Sequence, residues 1–227
     1  MAADEVILEG AVGGTASLRF YTWTVPTLSL GYFQPHIERL ANPEYASLPW
    51  LRRASGGAAL VHDRELTYCL ALPAGSEWQR RGESWICRMH GIISAALKHC
   101  GVETDHGLCG QQTKLGPVLC FLHHTPGDLI LKGHKIAGSA QRKQRGAIMQ
   151  HGGVLLGKSP HTPGLAGIRE LAGVAIPIDQ LVQAIAREFA NQTGWKFVPS
   201  DWTAAECERT RELAKAKYGD EAWNQKR

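Results

Sequence analysis

The chain reads as an α+β domain, a mixed or antiparallel sheet with flanking helices. Three observations predict this class. Short runs rich in bulky apolar residues, bounded by glycine and polar turns, recur near the start of the chain and again around residues 128–155. Apolar residues at helical spacing mark other segments. The strand runs come in groups interrupted by helices and do not alternate with them one for one, which argues against a doubly wound parallel sheet.

Taken in order, "SLRFYTWTVPTLSLGYF" alternates bulky apolar and small polar residues on both sides of Pro26, the pattern of two short strands joined by a bend. "GAALVHDRELTYCLAL" carries two more strands with His62-Asp63-Arg64-Glu65 between them, and a hairpin is the simplest arrangement. "ESWICRMHGIISAALKHCG" places Ile86, Met89, Ile93, Ala96 and Cys100 on one helical face, with Ser84 as N-cap and Gly101 as terminator. "DLILK", "KIAGSA" and "AIMQHGGVLL" form a meander, separated by Gly133 and the polar turn "QRKQRG". "IDQLVQAIAREFANQTG" puts Leu181, Val182, Ile185 and Phe189 on one face and ends at Gly194. "TAAE" opens a final helix as a capping box, Thr203 and Glu206 each satisfying an exposed amide. No linker or internal repeat divides the chain, so residues 1–227 read as a single domain.

With 44% hydrophobic and 20% charged residues, the composition is that of an ordinary globular protein. The net charge of +4 arises from 25 basic and 21 acidic residues scattered along the chain. A nucleic-acid interface would need a clustered basic patch with interleaved aromatics, which is absent. The mild positive balance suits an acidic protein partner. "MAADEVILEG" lacks the basic and apolar regions of a secretory signal, and no apolar run approaches the length of a membrane span. Six cysteines without a CxxC pair fit reduced thiols, and the expected location is cytoplasmic.

Several enzyme signatures are missing: GxSxG, the GxxxxGK[ST] phosphate loop, HExxH, and GxGxxG after a strand. His123 and His124 have no carboxylate or thiol at metal-ligand spacing and read as solvated loop residues, so no metal site is expected. "RRASGGAALVHD" is more informative. Its Gly56-Gly57 pair lets backbone approach a ligand closely; a lone glycine pair is usually a plain turn, but here Arg52 and Arg53 stand in front and His62-Asp63 behind. Cys120, at the end of "PVLCF", reads by composition as a core thiol, and Lys135 in its glycine-punctuated turn reads as a solvated cation. A lysine ammonium close to a cysteine would lower the thiol pKa and raise the thiolate fraction, but spacing alone leaves open whether the two meet.

"LRFYTWTVPTLSLGYFQ", "RRASGGAALVHDRELTYCLALP" and "KGHKIAGSAQRKQRGAIMQHGGVLL" together resemble the biotin and lipoate protein ligase catalytic-domain family, in its lipoate ligase and octanoyltransferase branch. The resemblance spans roughly residues 4–190 and implies that family's α+β fold, with no accessory C-terminal domain. "HDRELTYCL", and the "CF" ahead of "GDLILKGHKIAGSAQ", look most like the cysteine-dependent octanoyltransferases. That implies transfer of an octanoyl group from acyl carrier protein, through a Cys120 thioester assisted by Lys135, to a lysine of a lipoyl domain or glycine cleavage H protein. It further implies acyl or substrate contacts at Arg53, Ser55, Gly56, Gly57 and His62, and at Gly138, Ser139, Ala140 and His151. Ala58 departs from the family pattern, where glycine or arginine is usual. Thioester exchange is nearly isoenergetic, so no cofactor is expected. ATP and Mg2+ enter only if the chain is instead a lipoate-protein ligase, which would leave Cys120 idle. An amidotransferase acting between lipoyl-domain proteins and a non-catalytic binder of acyl or lipoyl proteins complete the competing readings.

Overall fold

The computed structural model describes residues 1–79, 82, 84–107, 125 and 127–227. Cys120, His123 and His124 lie outside the described residues. The elements are α1 (Ala2–Val12), β1 (Ser17–Tyr21), β2 (Thr27–Leu30), α2 (Pro43–Ala46), β3 (Trp50–Arg52), β4 (Leu60–His62) and β5 (Glu65–Leu72). They continue with α3 (Trp85–His99), β6 (Asp105–His106), β7 (Leu129–Leu131), β8 (His134–Gln144) and β9 (Ala147–Leu155). The chain then runs through α4 (Ile168–Ala172), α5 (Ile178–Thr193), α6 (Ala204–Leu213), a π-helical turn at Ala214–Tyr218 and α7 (Glu221–Asn224).

Six strands form an antiparallel sheet in the order β1-β5-β9-β8-β7-β6. A second sheet, β3-β2-β4, pairs β2 parallel with β3 and antiparallel with β4. The α+β reading holds, and the expected meander is β7-β8-β9, with β8 extending through "QRKQ" so that the turn tightens to Arg145-Gly146. The expected hairpin across His62–Glu65 does not form. β4 pairs with β2, whereas β5 pairs with β1 and β9, so the chain changes sheets at Asp63-Arg64. β5 is buried along its whole length and takes a partner on each edge within the large sheet, which leaves none for β4.

Side chains alternate across a strand, so each face of the large sheet acquires its own cover. Tyr68, Leu70, Leu72, Ile148 and Val154 pack with Trp85, Met89, Ile92 and Ile93 of α3 and with Leu181, Ile185 and Phe189 of α5. The intervening Cys69, Ala71, Ala147 and Met149 face Ile7, Leu8 and Ala11 of α1. Helix ends follow the sequence cues: Ser84 accepts the Cys87 amide, Gly194 is left-handed at φ 75°, and Thr203 and Glu206 cap each other's orphan amides. Among the described residues no helix is long and apolar enough to cross a membrane.

Candidate active site

A cleft runs between the two sheets. Its small-sheet wall is built by Ser29, Leu60 and His62 with the Gly57-Ala58 turn, and its large-sheet wall by Thr67, by Gly138-Ser139-Ala140 of β8 and by His151-Gly152-Gly153 of β9. Glycines thin the walls where backbones and side chains crowd. A Cβ on Gly152 would stand 2.5 Å from the Gly138 carbonyl oxygen, and one on Gly153 would stand 2.7 Å from Glu65 Oε2.

Lys135 is not a solvated cation. It is 4% exposed, and its Nζ lies 2.7 Å from Asp128 Oδ2. Asp128 is set in turn by the amide and hydroxyl of Thr125, both donating to its Oδ2. The lysine side chain runs behind Gly138, where a Cβ would meet Cε at 2.4 Å and Nζ at 2.8 Å. Absence of a side chain at Gly138 is therefore what lets the ammonium come up against the cleft wall.

Arg53 organises the glycine turn. Its guanidinium donates to the carbonyls of Ser29, Gly56 and Ala58 and to Ser29 Oγ, and Gly57 takes φ +89°, a conformation suited to glycine. Arg52 is fully buried and donates to the carbonyls of Gly31, Tyr32, Gln34 and Asn224, so it builds the frame rather than the cleft. His62 bridges Glu65 Oε1 through Nδ1 at 2.6 Å and Ser29 Oγ through Nε2 at 2.8 Å, and its ring stacks on Trp23 with centroids 4.1 Å apart. Thr67 donates to the same Glu65 oxygen and accepts from the Trp23 indole.

On the opposite side His151 joins Ser55 to Asp4. Its Nε2 bonds the Ser55 hydroxyl and its Nδ1 lies 3.3 Å from Asp4 Oδ2. Arg19 and Tyr21 also donate to Asp4. Burial by itself would raise the Asp4 pKa, but the N-terminal ammonium, the His151 bond and the Arg19 guanidinium outweigh it and hold the carboxyl well below the usual carboxylate range. Burial lowers the His151 pKa despite the partly opposing pull of Asp4. An ionised Asp4 can only accept, so the neutral ring carries its proton on Nδ1 and leaves Nε2 to accept from Ser55.

Of the residues expected from sequence, Arg53, Gly57, His62, Gly138, Ser139, Ala140 and His151 line the one cleft. Ser55 reaches it through His151, and Lys135 stands behind Gly138. Gly56 instead lines a neighbouring recess with Tyr32, Phe33, Arg142 and Trp223. Sequence reading missed Ser29, Glu65, Thr67 and Asp4. Asp4 in particular sits in a segment read only for the absence of a signal peptide, although its apolar Val6, Ile7, Leu8 and Ala11 carry a helical period.

Fold and cleft together define a domain with an apolar cleft between two sheets and a buried lysine set against its wall. Residues 1–162 match the model of the lipoyl protein ligase A/B catalytic domain, and the chain belongs to that family. The octanoyltransferase LipM of Brevibacillus brevis is 32% identical over 266 residues, an alignment covering 100% of this chain and 94% of that protein. Among solved structures, protein Ta0514 of T. acidophilum matches with a TM-score of 0.80 at 23% identity, covering 100% of this chain and 92% of that one. A lipoate-protein ligase A bound with ATP matches at 0.80 and 24% identity, covering 99% and 92%. These two structural likenesses concern the fold.

Proposed function

We propose that this protein is an octanoyltransferase of lipoate assembly, taking an octanoyl group from acyl carrier protein onto Cys120 and passing it to a lysine of a lipoyl domain or glycine cleavage H protein. The observation that carries the reading is the Lys135 ammonium, buried, paired with Asp128 and pressed against Gly138 in the wall of a largely apolar cleft. Full-length similarity to proteins named octanoyltransferase supports the choice of reaction. The apolar wall suits a saturated acyl chain, and the cation suits a thiolate nucleophile and the oxyanion that forms when it attacks a thioester. Cys120 precedes the Thr125–Asp128 turn that holds the lysine's partner, which keeps nucleophile and cation in neighbouring parts of the chain. Reduced Cys120 requires a reducing compartment, in keeping with a cytoplasmic location.

The test is intact mass after incubation with octanoyl-acyl carrier protein without ATP. The wild type is expected to gain one octanoyl group, labile to hydroxylamine, and Cys120→Ala to gain none. Acceptor modification that appears only with free octanoate and ATP would overturn the proposal in favour of a ligase.

A further inference from the structure

We propose that the segment from Phe33 to Leu40, with Arg39, Lys226 and Arg227 along its edge, is the docking surface for the donor, an acidic acyl carrier protein. The inference rests on the acyl-transfer reading above.

The segment is turned inside out. Phe33, Ile37 and Leu40 are 69%, 61% and 49% exposed, and Pro35 between them is exposed too, whereas the polar Gln34, His36, Glu38 and Arg39 are half-buried. Its 3₁₀ helix, His36–Ala41, buries no residue. A fold that served only itself would place these side chains the other way round, and large apolar groups exposed together on one segment mark an interaction site. The polar members hold the segment in place. Arg39 lies over the Trp50 ring and donates to the Ala46 carbonyl, the His36 ring stacks on the same Trp50, and the His36 amide donates to the Arg227 carbonyl. The Arg227 guanidinium in turn stands 5.3 Å from the centre of the Phe33 ring, and Lys226 Nζ 3.9 Å from that of Tyr32. Apolar tips and cations thus form one continuous surface. Arg39, Lys226 and Arg227 stack on aromatic rings and are neutralised by no side-chain carboxylate among the described residues.

This surface adjoins the cleft without lining it. A Cβ on Gly56 would stand 3.8 Å from the Phe33 ring, and Gly57, the next residue, borders the cleft, whereas Phe33, Ile37 and Leu40 take no part in its walls. Unneutralised cations around apolar tips select a partner that is acidic and carries an apolar centre. A second copy of this chain does not fit, because a two-fold contact would set the surface against itself, cation to cation. Donor and acceptor differ in reach. The carrier's thioester ends a long flexible prosthetic arm, so its protein can dock beside the mouth of the cleft and still deliver the acyl group. An acceptor lysine has only its four-carbon stem, so the acceptor domain must sit over the mouth itself. A surface set beside the mouth therefore suits the donor.

The test times octanoyl transfer to a lipoyl domain from two donors, octanoyl-acyl carrier protein and octanoyl-pantetheine, which offers the same thioester without the protein. Ile37→Glu and Lys226→Glu are expected to raise the KM for the carrier protein at least ~10-fold with kcat little changed, because like charge opposes its approach. Transfer from octanoyl-pantetheine should match the wild type in both variants, which shows that they fold. Added salt should raise the wild-type KM for the carrier protein but not that for octanoyl-pantetheine. An unchanged KM for the carrier protein, or equal loss with both donors, would overturn the proposal. So would a raised KM for the lipoyl domain alone, which assigns the surface to the acceptor, or a wild-type dimer that the variants dissociate, which assigns it to a second copy. Calorimetric titration with carrier protein lacking the octanoyl group reads docking without turnover. A wild type that binds this carrier more tightly than the variants do, yet accepts octanoyl from neither donor, overturns the acyl-transfer reading and leaves the docking surface standing.

Discussion

A methyl group at Gly138 would collide with the far end of Lys135, a flexible side chain, rather than with backbone. Gly138→Ala is therefore expected to fold, at a stability cost of about 3 kcal/mol set by the buried ion pair, while pushing the ammonium off Asp128 and away from the wall. A displacement of about 1 Å at a reacting group costs about 100-fold in rate. Octanoyl loading, timed by intact mass, should drop by that order, and loading at the wild-type rate would refute the placement. At this scale sequence reading was strongest where a residue type announces its own constraint. Gly57, Gly138 and the histidines beside them were legible for that reason. Lys135 was legible as a motif residue but not as a buried one, because its burial depends on Asp128 and on Gly138 lacking a side chain. Asp4 was out of reach, since its partners Arg19, Tyr21 and His151 lie far along the chain.

Elements were legible in kind but not in pairing. Period and caps located α3, α5 and α6 closely, because these signals are local. The two strands around Asp63-Arg64 were also found, yet adjacency in sequence suggested a hairpin that the pairing of β5 with β1 and β9 excludes. Strand partners are chosen by long-range burial, which no local window contains. The tight approach of β8 and β9 yields a prediction at the same scale. In Gly152→Ala the new methyl would stand 2.5 Å from the backbone oxygen of Gly138 and 2.8 Å from the Ser139 Cβ, so the ladder itself must shift. The expected loss is about 1–3 kcal/mol in urea denaturation. Stability equal to wild type would mean that the two strands are less closely apposed.

For the whole molecule, the C-terminal helices act as a clasp. Lys217 and Tyr218 hold Glu5 of α1, and Arg209 holds Glu9. Asn224 accepts the Arg52 amide while Trp223 donates to the Arg52 carbonyl, which ties β3 to the same segment. Leu213 and Tyr218 also cover Ala2 and Val6. Deleting residues 203–227 would strip these partners from both α1 and the small sheet. Losing the burial of Leu213 and Tyr218 costs about 3 kcal/mol or more, a fall of about 6–12 °C in Tm. Calorimetry showing an unchanged Tm would mean that the clasp is ornamental. The capping box at Thr203 announced that a helix begins there, but nothing in the local pattern of the segment names Glu5 or Arg52 as its targets.

The change of sheet at Asp63-Arg64 has a mechanical meaning. The two sheets share no ladder among the described residues, so the cleft is a seam stitched by side chains such as His62 to Glu65 and Ser55 to His151. An acyl chain lodged in that seam would be a filling between two leaves joined by those stitches and by the chain itself at Asp63-Arg64. The cohesion of the protein would then rise when the group is taken up and relax when it is handed on.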